Sequence, residues 1–163
     1  KNNRKTMTDS NMLPRGIRNN NPLNIRRTQK TTWRGQKSTQ EDPYFVQFVN
    51  MKWGWRAAFR LLTRNYYHQH HLSTIRGIVS RWAPPQDHNS TEEYIDRVAR
   101  LMRFDPDQTL GIPLAAPERW MQLAVAMAIV ECGTEVLDYM AMLEGWRMNR
   151  EDAGIRTPGE PGA

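Results

Sequence analysis

The chain of 163 residues has one cysteine, Cys132, which excludes an internal disulfide and any zinc cage built on thiolates. It has no uninterrupted apolar run of about 20 residues, so no membrane-spanning helix is expected. The spacing His-Glu-x-x-His is also missing, and His68, His70 and His71 read as a surface turn after a helix end, so no metal site is expected. Acid is scarce at the front: residues 1–37 hold ten Lys/Arg and one Asp, while the remainder holds thirteen Lys/Arg and sixteen acids. The net charge of +6 is therefore concentrated at one end. Such a block steers a protein to nucleic acid, to anionic wall polymers or to an acidic partner in an assembly, or simply keeps it in solution. Lys1 to Asn11 is polar and basic, without the apolar stretch of a secretory signal, so delivery beyond the cytoplasm would need another carrier.

What is present suits one domain of mainly α structure. A basic arm at 1–12 and a polar Gly/Pro-containing tail at 147–163 are expected to be disordered, leaving a folded unit at 13–146. Tyr44, Phe45, Val46 and Phe48 favour at most a short hairpin or extended piece. From Trp53 the apolar spacing becomes helical, with Trp55, Ala58, Phe59, Leu62 and Tyr66 on one face. A second helix begins after Ser73 and stops at Pro84-Pro85, and Ser90-Thr-Glu-Glu93 has the form of a capping box opening a third. Pro117 fits the first turn of the next helix, which is apolar on nearly every side up to Val130 and so belongs in the middle of the molecule. A last helix is expected from Thr134 to about Trp146.

Two places carry candidate chemistry. Arg15-Gly-Ile-Arg-Asn-Asn-Asn-Pro-Leu-Asn-Ile-Arg26 is a loop of amides, shaped by Pro22 and by asparagines that bond their own backbone and tolerate left-handed conformations. Glu131 closes the most apolar helix just before Gly133. Burial, the negative helix end and nearby Glu135 each disfavour a charge there, and a carboxyl group that keeps its proton near neutral pH is what a breaking glycosidic bond needs. A glutamate merely marking where a core helix reaches water is the alternative.

The amide string resembles one near the start of a family of bacteriophage virion structural proteins with relatives in bacterial hosts, associated with the lysozyme-like superfamily. Lysozymes and lytic transglycosylases commonly place their acid Glu at the end of a buried helix, before Ser/Asn-Gly, and follow it with an Asn-containing turn. Ala126 to Gly133 resembles the first element and Asn19 to Ile25 the second, in reversed order, as in a circular permutation of the lysozyme-like core. Phe45–Arg60 and Thr74–Val98 also look similar to the family pattern. The sequence departs from it at Leu23, where Gly is usual, and at Cys132, where Asn or Ser is usual. Leu23 is expected to tighten or occlude the loop.

The resemblance implies a muramidase or lytic transglycosylase carried on a phage particle, cutting the β-1,4 glycan of peptidoglycan with Glu131 as general acid and needing no cofactor. It implies Asn20, Asn21 and Asn24 as amides for N-acetyl groups, with Tyr44, Trp82 and Tyr94 as flat faces for sugar rings. Trp33 is a further candidate face. If a second carboxylate serves, Glu41 and Asp42 are the candidates. Peptidoglycan and other virion proteins are the expected partners, and the site of action is the host wall. A virion structural protein that keeps the fold without turnover is the first alternative. A nucleic-acid module using Arg15, Arg18, Arg26, Arg27, Lys30 and Arg34 with Trp33 is the second, and no helix-turn-helix or zinc-finger spacing supports it.

Overall fold

A computed structural model describes residues 13–133 and 137–152. The expected basic arm, Glu135 and the end of the tail lie outside the described residues. The fold is mainly α: α1 (Arg15–Arg18), α2 (Met51–Arg60), α3 (Ile75–Trp82), α4 (Thr91–Met102), α5 (Pro117–Cys132) and α6 (Tyr139–Glu151). The extended piece expected around Tyr44–Phe48 contributes only two isolated antiparallel bridges, Arg26 with Phe45 and Gln36 with Phe48.

The core forms around α2, whose Trp55, Ala57, Ala58 and Phe59 have no exposed surface. Helix α6 lies along it at close range because Gly145 faces α2, where a Cβ would stand 2.6 Å from that of Trp55 and 2.7 Å from the Arg56 nitrogen. Phe59 meets Trp146 edge-on, with ring centres 5.0 Å apart. The fully buried Arg56 guanidinium donates to Asp152 at 2.7 Å, an ion pair that fastens the end of α6 to α2. Helix α5 supplies Trp120, Leu123, Ala124, Met127 and Ala128 to the same core, with Pro117 at its first turn and Gly133 left-handed (φ 65°) after its last.

Three local expectations need correction. The last helix was expected to end at about Trp146, but α6 continues to Glu151, so residues 147–151 of the expected tail are helical. Arg147 pairs with Glu144 and Glu151 along that last stretch, and the Asp152 clasp holds its end. The capping box at Ser90 does not form, since no side chain caps α4. The neighbouring Thr91 hydroxyl instead donates to the Ala83 carbonyl at 2.6 Å and ties α4 to the end of α3. Finally, α2 runs without a break into a π-helical segment, Leu61–Gln69, which periodicity alone does not distinguish from an α-helix. There the Thr63 hydroxyl donates to the Phe59 carbonyl at 2.7 Å, occupying an acceptor of the helical ladder where its register widens.

Candidate functional site

The amide loop is first of all a structural knot. Asn21 is fully buried, with its Nδ2 donating to the carbonyls of Ile25 and Val46 and its Oδ1 accepting from the Ile25 nitrogen at 2.9 Å. Asn20 donates to the Phe48 carbonyl at 3.1 Å. Asn21 is therefore wholly occupied by backbone, which corrects its expected role toward a ligand, and Asn20 has its amide nitrogen engaged. Leu23 has no exposed surface and packs in the core, so it anchors the loop from beneath and does not occlude it.

Asn24 is different. Its φ of 50° turns the side chain toward the end of α5, where Nδ2 lies 3.3 Å from the Glu131 carbonyl and 3.4 Å from Glu131 Oε2. The other oxygen, Oε1, accepts from Trp82 Nε1 at 2.7 Å and from the Tyr94 hydroxyl at 3.2 Å. Four elements thus converge on one half-buried carboxyl group: the amide loop, the end of α3, the inner face of α4 and the last turn of α5. The approach is close because α1 presents Gly16, where a Cβ would stand 2.8 Å from Asn24 Oδ1 and from Cys132 Sγ. The Cys132 thiol donates to the Pro22 carbonyl at 3.5 Å, a further tie between loop and helix end.

The partners of Glu131 recorded in the structure are neutral donors. Burial, and next the neighbouring Glu131 charge, raise the Tyr94 hydroxyl well above its ordinary value, so it remains a donor. Burial and the same charge push the Cys132 thiol up to about 11, which keeps it protonated and unreactive at neutral pH. Beyond the carboxyl group opens a polar cleft of about 790 Å³, with Arg26, Phe45, Trp82, Asp87 and Asn89 along its walls. A carboxyl group on the floor of such a cleft, held by neutral groups, can exchange a proton with a bound molecule.

No protein-family model matches the chain. Protein P5 of Pseudoalteromonas phage PM2 is 35% identical to it over 141 residues, spanning 85% of this chain and 84% of that protein. The chain belongs to the P5 family. Its homologue is thus a phage protein.

In this P5-family chain the other expected site residues lie elsewhere. Asp42 binds Arg15 with both oxygens at 2.7 Å and also accepts from Asn19 and from the Tyr44 and Phe45 nitrogens. The Arg15 hydrogen bonds above all hold its carboxyl well below the usual carboxylate range. It is a fixed anion inside a loop. Glu41 lines a separate depression with Arg15, Arg18 and Asp42, away from Glu131. Tyr44 is 59% exposed, stands beside Arg15 and does not line the cleft, whereas its neighbour Phe45 does. Trp33 is buried in the core, which removes it as a sugar face or a stacking surface for bases. Of the basic set, Arg15 pairs with Asp42, Arg34 pairs with Asp152, and Arg27 donates to the Asp42 carbonyl. The front charge is thus partly engaged in internal bonds.

Sequence reasoning missed Asp87, the second carboxylate along the cleft. It ends a 3-10 turn, Pro85–Asp87, that the Pro84-Pro85 pair forces after α3. The proline pair is the signal for it, since a turn must follow where the helix stops. Arg26 was noticed as charge and not as part of a cleft wall. Its guanidinium lies 5.2 Å from the centre of the Phe45 ring, a stacked placement that holds a cation at the cleft. No described helix is long and apolar enough to cross a membrane. No group of metal-ligating side chains occurs among the described residues.

Proposed function

We propose that the chain is a phage particle protein with a lysozyme-like, circularly permuted domain that binds the glycan strands of peptidoglycan and cleaves their β-1,4 links with Glu131 as general acid. The observation that carries this reading is the Glu131 carboxyl group on the floor of the cleft, contacted by Asn24, Trp82 and Tyr94. Trp82 and Tyr94 then act as positioning residues. They fix the carboxyl orientation, so that the group faces the bond to be broken without a search among rotamers. Phe45 and the Trp82 ring edge supply apolar wall for sugar rings, and Asn89 and Arg26 supply polar contacts. Membership of a phage protein family supports the particle as the place of action and makes other particle proteins natural partners. The target is the host wall.

A second reading is a structural particle protein that keeps the fold without turnover. The kinship with a phage protein whose name carries no activity supports it more directly than it supports catalysis. So does the fact that both Glu131 oxygens already accept hydrogen bonds from the protein itself. One experiment separates the two. Purified wall sacculi are incubated with the native chain and with Glu131→Gln, and released muropeptides are analysed by mass spectrometry. Release by the native chain alone supports glycan cleavage, and the end group, reducing or anhydro, gives the reaction type. Release by neither supports the structural reading, and release by both removes Glu131 as the acid.

A further inference from the structure

A second hollow, of about 220 Å³, lies between the π-helical segment, the 112–114 loop and α6, and shares no lining residue with the Glu131 cleft. Two of its lining residues each carry a buried polar atom without a hydrogen-bond partner, Asn149 Oδ1 and Arg64 Nε. Asn149 is 5% exposed and its orientation is set, because Nδ2 donates to Thr63 Oγ1 at 3.1 Å, and that hydroxyl in turn donates to Phe59. The free atom of the amide is therefore an acceptor, fixed and dry. Arg150 adds a second guanidinium at the rim, and none of the lining residues is acidic. The opposite wall is apolar: Tyr67 and Trp146 form it, and Ile112 and Leu114 stand at its edge 59% and 66% exposed.

We propose that this hollow receives the carboxyl terminus of a partner polypeptide ending in an apolar residue. The terminal carboxylate meets Arg64 and Arg150, the last amide N–H donates to Asn149 Oδ1, and the last side chain fills the apolar wall. An orphaned acceptor beside orphaned and unopposed cationic donors requires a ligand with one N–H donor and one anionic acceptor group close together, which is the end of a peptide chain. The small volume takes one residue, and the exposed Ile112 and Leu114 are placed to be covered by the residues before it. The π-helical register is part of the construction. It puts Thr63, Arg64 and Tyr67 on this hollow while the adjacent Tyr66 lines the Glu131 cleft.

The test is calorimetric titration of the full chain with acetyl-Gly-Gly-Leu, its carboxamide, its analogue with an ester in place of the last amide, acetyl-Gly-D-Ala-D-Ala, and octanoate. The acid is expected to bind on the order of tenfold or more tightly than the carboxamide, since a charged acceptor is lost, and several-fold more tightly than the ester. Arg64→Gln and Arg150→Gln, each checked by thermal melting, should erode the acid's preference. Equal binding of acid and carboxamide, no binding of the acid, or tighter binding of octanoate would overturn the proposal. Tighter binding of the D-Ala peptide would overturn it too, in favour of a wall peptide. Because the probes carry no sugar, these outcomes are independent of whether the Glu131 cleft takes glycan.

Discussion

Asp42 and Glu131 are two carboxyl groups set in the same network of asparagines, and they have become different things. Asp42 faces a guanidinium bonded through both oxygens, together with an amide and two backbone nitrogens, and it lies away from the cleft. Glu131 faces an indole, a phenol and an amide, and its cleft is open. A charged partner with matching geometry turns a carboxylate into a fixed joint. Neutral partners orient the group and leave its proton chemistry to whatever arrives.

Altering each carboxyl group and reading both activity and stability separates the two roles. Glu131→Gln is expected to lower glycan release by at least about a hundredfold, the contribution of a placed general acid, with little change in melting temperature. Asp42→Ala should do the reverse. It leaves Arg15 and two backbone nitrogens without their acceptor and is expected to cost about 2–3 kcal/mol in urea unfolding, while retaining the cleft. Gly16→Ala tests the joint between the two, since its methyl group would press on Asn24 and Cys132. A loss of about 1–3 kcal/mol is expected, with reduced release. Trp82→Phe removes one donor from Glu131 and part of the cleft wall, and should lower release by about tenfold.

The comparison also predicts a pH dependence. The Asp42 carboxyl is held below its ordinary value in the folded state, so its contribution is complete above the ordinary carboxylate range and fades as pH falls through that range toward the lowered value. Native protein should therefore lose stability as pH falls below about 5, most of it below about pH 4, more steeply than Asp42→Asn, measured by urea midpoints. Parallel curves would show that the Arg15 pair contributes nothing to folding.

The mainly α architecture was legible in the sequence because helices carry it and apolar spacing reports helices well. The meeting of the amide loop with the end of α5 was legible only through the resemblance of the Asn19–Ile25 string and of Ala126–Gly133 to lysozyme-like elements. It was hidden from composition, since Asn24 and Glu131 are 107 positions apart. What could not be read was which amide does what. Asn20, Asn21 and Asn24 are chemically alike, and only the tertiary partners decide that Asn21 fastens backbone and Asn24 reaches a carboxyl group. The same holds for Asp42 against Asp87, an acid inside a loop and an acid beside a cleft. Ser90 failed as a cap for a related reason: the hydroxyl next to it had a buried carbonyl to meet, and tertiary bonding outweighed the local motif.

The position of Cys132 has a consequence for the molecule in media of different redox character. Its sulfur is buried, carries a proton at neutral pH and is the one thiol in the sequence. Passage from a reducing interior to an oxidising medium therefore forms no disulfide within the chain, and the described fold rests in either setting on packing, hydrogen bonds and ion pairs.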